Sequence, residues 1–223
     1  MLYLSRLSLN PRSRQVQRHL ADCQRLHECL LDAFGDAPDS VSARTHFGVL
    51  YRVETDRGRS TVLVQSVTRP DWSHLPATYL LRDAESKEIG EAYQAIGQGT
   101  RLAFRLRANP TKRLMNADTS ETSGKRVDLR RPEEQLGWLE RKADAGGFRI
   151  LSTRIAPAVP NVRIGQDNKQ LGHKRGQKLT FGSVLFEGAL EVIDAPGFRA
   201  TLRDGVGSGK AYGFGLLSVA PLR

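Results

Sequence analysis

Apolar and polar residues alternate through LYLSRLSLN (2–10), which predicts an opening strand. ADCQRLHECLLDAF (21–34) then spaces Leu26, Leu30, Ala33 and Phe34 at helical intervals and predicts a helix. HFGVLYRVETD (46–56) and STVLVQSVT (60–68) are rich in β-branched and aromatic residues. The turn-forming Arg57-Gly58-Arg59 between them makes the pair a hairpin. Residues 70–99, punctuated by Pro70, Pro76, Gly97 and Gly99, give no clear assignment. Alternation returns in TRLAFRLRANP (100–110), read as the strand that closes a first α+β unit.

MNADTSETSGKRVDLR (115–130) is polar and suits an exposed loop, so the boundary is placed near residue 110, giving domains over 1–110 and 111–223. Pro132 and the acidic pair Glu133-Glu134 favour a helix start for PEEQLGWLERKA. GGFRILSTRIAP (146–157) and KLTFGSVLFEGALEVID (178–194) alternate like strands around the basic, hydrophilic NVRIGQDNKQLGHKRGQK. PGFRATLRD (196–204) reads as a helix, and GLLSVAPL ends the chain as a strand. The second half thus repeats the element order of the first. The expected fold class is α+β, with two tandem ferredoxin-like βαββαβ domains, although no tight sequence repeat accompanies the duplication.

Composition narrows the function. No apolar run approaches membrane-spanning length, and the apolar start is interrupted by Arg6 without a small-residue cleavage site, so neither a membrane nor export is expected. Cys23 and Cys29 lack the CxxC spacing of a redox or zinc motif, which suits a reducing cytoplasm. Against 24 acidic residues stand 34 Lys and Arg, a formal charge of +10 that favours a polyanion, with nucleic acid the leading candidate.

Arg101, Arg105 and Arg107 share one face of their strand, while Leu102, Phe104 and Leu106 take the other, so the arginines suit a nucleic-acid backbone track or a merely solvated face. Lys112, Arg113, Lys125, Arg126, Arg130 and Arg131 extend this basic content. No local carboxylate or His cluster suggests a metal site, and neither metal nor cofactor is expected. The run Gly205, Gly207, Gly209, Gly213, Gly215 can offer backbone N–H groups to phosphate, or form a structural turn into a strand. It is not a nucleotide-binding P-loop: the required earlier glycine is missing, Ala211 replaces Ser or Thr, and a helix precedes it.

The pairing of Gly205 with Gly207 and Gly213 with Gly215, around Val206 and Phe214, is similar to the glycine-rich loop of CRISPR repeat-processing endoribonucleases. MLYLSRLSLNP, RLHECL, VLVQS, RLAFRLRANPTKR, WLERK, VLFEGALEV and GLLSVAPL resemble the CasE branch in order, over nearly the whole chain. The resemblance implies a protein that binds the stem-loop of CRISPR repeat RNA, cuts at the base of its stem without a metal and stays bound with the other Cascade subunits.

The resemblance also assigns residues. His27 matches the family's helix histidine, a proton carrier acting as base or acid, although Leu31 and Phe34 at i+4 and i+7 also suit a packed core histidine. Where the family often has a tyrosine, three residues earlier, this chain has Gln24, which cannot transfer a proton. A second proton carrier is therefore left open, and a non-catalytic hairpin-binding subunit is the alternative reading. A general RNA-binding protein is the third. Lys169, His173, Lys174, Arg175 and Lys178 occupy the place of a basic hairpin that contacts the stem, with Lys174, Arg175 and Lys178 taken as a group; the bland alternative is a solvated loop.

Overall fold

The computed structural model describes residues 1–113, 126–153 and 159–222, without the side chains of 166–168. The chain begins with β1 (Tyr3–Ser8), α1 (Arg14–Ala21), α2 (Cys23–Leu31), α3 (Ala43–His46), β2 (Leu50–Asp56) and β3 (Arg59–Ser66). A 3₁₀ turn at Trp72–His74, then β4 (Glu85–Glu88) and α4 (Gly90–Gln94), follow. The four strands form one antiparallel sheet in the order β2-β3-β1-β4. Alternation in β1 and β3 sends Leu7, Val62 and Val64 into a core shared with Val16, Leu26, Cys29 and Leu30 of α1 and α2. Each such leucine contributes roughly 1.5–3 kcal/mol by leaving water. The expected hairpin is present, turning through Arg57 and Gly58, both at positive φ.

The second half contains β5 (Arg101–Ala108), β6 (Thr111–Arg113), β7 (Arg126–Asp128), α5 (Pro132–Ala145), β8 (Phe148–Ile150), β9 (Val162–Lys174), β10 (Gln177–Val192), α6 (Ala195–Asp204) and β11 (Leu217–Pro221). Its main sheet runs β11-β5-β10-β8, with β9 alongside β10, while β6 and β7 form a separate ribbon. Numbered within each half, both sheets have the strand order 4-1-3-2, and the chain is two ferredoxin-like units in tandem.

This order corrects the sequence reading at the boundary. The strand over 100–110, taken as closing the first unit, opens the second: Phe104 lies opposite Gly188 of β10 and Val219 of β11, and Leu106 opposite Phe186 and Leu217. Leu102, Phe104 and Leu106 accordingly enter the second core, with Phe186 and Phe198. The fourth strand of the first sheet is β4, whose Glu-Ser-Lys-Glu is exposed throughout and carries no alternation to read. We therefore divide the chain ahead of β5 rather than near residue 110.

Helices over α5 and α6 form as expected. Residues 115–125 of the expected polar loop, including Lys125, and 154–157 of the expected strand lie outside the described residues. The basic stretch 161–178 is the arm β9 and the start of β10, a long antiparallel hairpin turning through Arg175 and Gly176 at positive φ. Among the described residues no helix is long and apolar enough to cross a membrane.

Buried polar side chains tie the units together. Arg52 of β2, only 2% exposed, donates to the carbonyls of Arg105 and Leu216 at 3.1 Å each and to Glu54 at 2.8 Å. Gln65 of β3 donates to the Leu202 carbonyl at the end of α6 at 2.9 Å.

Candidate catalytic site and nucleic-acid interface

Helix α2 starts where Asp22 caps it, accepting from the amides of Gln24 at 3.0 Å and Arg25 at 3.3 Å. The same carboxylate accepts from the backbone N–H of His173 at 3.3 Å and lies 3.1 Å from its ring Nδ1, so one side chain joins the helix start to the basic hairpin. Burial of Asp22 favours its neutral acid, but the bonds from His173, Arg25 and Gln24 outweigh it and hold the carboxyl below the usual range. Gly172 completes the junction: a Cβ there would stand 2.8 Å from Cys23 Sγ. Cys23 is no nucleophile, because burial and the Asp22 charge push its thiol up to about 11.

His27 lies one turn along α2, half-buried, with Nδ1 shielded from solvent and without a hydrogen-bond partner among the described residues. Burial first, then the charges of Lys174 and Arg44, lower its pKa to about 4, with Glu28 opposing. It is thus a neutral imidazole at neutral pH, with the electronic form of a base. The ring sits partly buried on the flank of the α2 core face and feels the charges of Lys174 and Arg44. Lys174 shares the strand face of Gly172, two residues away, which aims it toward α2. Arg44, in a stretch with no readable pattern, is a contributor that sequence reasoning missed.

Gln24, 8% exposed, donates from Nε2 to Glu28 Oε1 at 2.7 Å and leaves Oε1 buried without a partner. Opposite α2 stands Tyr212, its ring in an edge-type contact with His27 at a centroid distance of 6.1 Å and stacked on Phe181 at 4.8 Å. Tyr212 and Phe181 were also absent from the sequence-based candidates.

The glycine run acts here mainly as a packing device. A Cβ on Gly213 would approach the buried Tyr51 ring to 3.1 Å, and one on Gly207 the Trp138 ring to 2.9 Å. The backbone amides of Gly205, Val206, Tyr212 and Gly215 donate to protein carbonyls and are not available to a phosphate. Gly209 and Gly213, both left-handed, flank the 3₁₀ turn that carries Lys210 and Tyr212, while Gly215 leads toward β11. The run brings the second unit against α2 and so positions Tyr212.

The structure separates the basic candidates into groups. Lys169, Lys174, Arg175 and Lys178 are exposed on the hairpin. Arg101 is paired with Glu191 at 3.1 Å, and Arg105 with Glu187 at 2.7 Å and Glu54 at 3.1 Å, so these two side chains link elements of the protein. Arg107 is half-buried on the same strand face. Lys112 bonds Glu134 at 2.9 Å. Arg113 and Arg126 stand directly opposite each other across the β6–β7 ribbon, a like-charge pairing that an anion relieves. Arg130 and Arg131 are exposed ahead of α5. Among the described residues, no three His, Cys, Asp or Glu side chains converge as metal ligands.

A family model described as CRISPR associated protein matches residues 2–221. The chain belongs to that family. It is similar to the CRISPR-associated endoribonuclease Cse3 of Thermus thermophilus, 43% identical over 228 residues that cover 99% of this chain and 100% of the relative. It is also similar to the CRISPR system Cascade subunit CasE of Escherichia coli, 31% identical over 206 residues that cover 90% and 93% of the two chains. Among solved structures, Thermus thermophilus Cse3 bound to an RNA representing a pre-cleavage complex superposes with a TM-score of 0.80 at 43% identity, covering 99% of each chain. The tandem arrangement seen here is shared with these structural relatives, and the Cse3 superposition runs over nearly the whole of both chains.

Proposed function

We propose that this protein is a metal-independent endoribonuclease that binds the stem-loop of CRISPR repeat RNA, cuts it to produce guide RNA and remains on the product as a Cascade subunit in the cytoplasm. The observation that carries the chemistry is the unbonded, half-buried His27 at the junction of α2 with the basic hairpin. Family membership and the relatives' names, an endoribonuclease and a Cascade subunit, support the substrate and the assembly.

In this reading neutral His27 takes the proton of the 2′-hydroxyl beside the scissile phosphate. The 2′-oxygen attacks phosphorus, giving a 2′,3′-cyclic phosphate and a 5′-hydroxyl. Lys174, whose charge is felt at His27, offsets the charge that builds on the phosphate oxygens. Arg175 and Lys178 extend the contact along an A-form stem, which is read through phosphates and 2′-hydroxyls. The opposed Arg113 and Arg126 favour a second phosphate contact on the other unit's ribbon.

The test is a cognate repeat hairpin incubated in EDTA with wild type and with His27→Ala. Cutting by wild type, with loss of cutting but retained binding in the variant, supports the enzyme. Tight binding by wild type without cutting replaces it with the non-catalytic hairpin-binding subunit.

A further inference from the structure

Internal attack requires proton traffic at two atoms: one proton leaves the 2′-hydroxyl and another reaches the departing 5′-oxygen. The two oxygens lie on opposite sides of phosphorus, so one small ring does not serve both at once. His27 accounts for the first proton. Gln24, one turn earlier on the same helix, holds no transferable proton, and its amide is engaged with Glu28.

We propose that Tyr212 is the second proton carrier, donating its phenolic proton to the 5′-oxygen as the bond to phosphorus breaks. This inference rests on the endoribonuclease reading. Tyr212 comes from the opposite unit and a different element, yet its ring meets that of His27 at a centroid distance of 6.1 Å and an interplanar angle of 65°. Its hydroxyl has no hydrogen-bond partner among the described residues and is not sealed from solvent, unlike the buried Nδ1 of His27.

Three features fix the residue in place. Phe181, beside an irregularity in the β9–β10 register, stacks on it at 4.8 Å and 26°. Left-handed Gly209 and Gly213 bound the turn that carries it. The buried Tyr51 hydroxyl points between the Ala211 carbonyl at 3.2 Å and the Cys23 carbonyl at 3.4 Å, so one side chain ties the residue before Tyr212 to the helix turn before His27. Such fixing is what a proton carrier needs and what a solvated surface tyrosine lacks. Burial, then the neighbouring Cys23 and Glu28, raise the phenol's pKa, so it keeps its proton as a donor must.

The step balances. The 2′-hydroxyl proton passes to His27, the O2′–P bond forms, the P–O5′ bond breaks and the phenolic proton completes the 5′-hydroxyl. Imidazolium and phenolate are left, and one proton returning from His27 to Tyr212, directly or through solvent, resets the site without any co-reactant.

The experiment compares an all-oxygen repeat hairpin with one carrying sulfur at the bridging 5′ position of the scissile bond, whose thiolate leaves without protonation. Tyr212→Phe keeps the ring and deletes the hydroxyl. On all-oxygen RNA its single-turnover rate is expected to fall roughly 100-fold with RNA affinity unchanged. On the 5′-thio RNA it should match wild type, while His27→Ala stays slow on both substrates. Equal rates for Tyr212→Phe and wild type on all-oxygen RNA overturn the inference. So does an equal slowing on both substrates, which is the mark of lost packing. A wild-type protein that binds the cognate hairpin and does not cut it overturns the endoribonuclease reading, and this inference with it.

Discussion

Gly172 of the basic hairpin lies against Cys23 at the start of α2 so closely that a Cβ on the glycine would be 2.8 Å from the sulfur, 3.1 Å from Asp22 Oδ1 and 3.2 Å from the Gln24 amide nitrogen. Two of these neighbours are a helix cap and a helix backbone, and the third is a buried side chain, so none yields easily. Gly172→Ala should therefore push the hairpin off α2, at a cost of about 1–3 kcal/mol, typical of overpacking. Because Lys174 is two residues away, single-turnover cleavage should slow at least as markedly as the melting temperature drops. Cleavage kinetics at saturating protein, alongside a thermal melt, check this.

The pH dependence of stability follows from His27. Its ring protonates near 6.5 when unfolded and at about 4 when folded. Between these values the unfolded chain binds more protons, so unfolding free energy rises with pH across that window and is fully developed above it. Denaturant melts at pH 7, 5.5 and 4.5 should show this loss on acidification, and His27→Gln should flatten its slope. A bound RNA phosphate stabilises the imidazolium, so the His27 pKa measured by NMR should move upward when an uncleavable hairpin is added.

Arg52 shows how the units are held in register. Replacing it with Met removes the donors to the Arg105 and Leu216 carbonyls and one partner of Glu54. The expected loss is roughly 2–3 kcal/mol, less than the ~3–5 typical of a broken buried pair, because Glu54 keeps Arg105. Equilibrium unfolding measures it, and the transition should broaden if the units begin to separate.

Salt dependence separates the basic residues. Lys174→Ala, Arg175→Ala and Lys178→Ala should each weaken hairpin binding and reduce the slope of log K against log salt by about 1. Arg101→Ala should change the slope little, because its guanidinium is already engaged by Glu191. Titrations of labelled RNA at several salt concentrations give these slopes directly.

Local patterns were legible wherever burial alternates. The β2–β3 hairpin, helices α2, α5 and α6, and strands β5 and β10 all announce themselves in the sequence. What strand β5 pairs with was not legible, because alternation shows that one face is buried and not which strands lie beside it. Strand β4 escaped for the opposite reason: it lies at a sheet edge, exposed on both faces, and is held by its backbone pairing with β1 and a Ser5–Ser86 hydroxyl bond. In the site, His27 stood out through the resemblance to the CasE branch, and the hairpin through that resemblance together with its charge. Tyr212 did not, since its relation to His27 spans the two units and only the packing of the glycine run brings the rings together. Arg105 read as part of an RNA track because its acidic partners Glu54 and Glu187 are distant in sequence.

The central claim is internal attack by the RNA's own 2′-hydroxyl at a site containing His27. Its most direct test is a single-turnover assay in EDTA with two cognate repeat hairpins, identical except for a 2′-deoxy sugar at the nucleotide before the scissile bond. The account predicts that the all-ribose hairpin is cut to a 2′,3′-cyclic phosphate and a 5′-hydroxyl, while the deoxy hairpin binds equally tightly and stays whole. Cleavage of the deoxy hairpin at the same bond, or products ending in a 5′-phosphate, would contradict it.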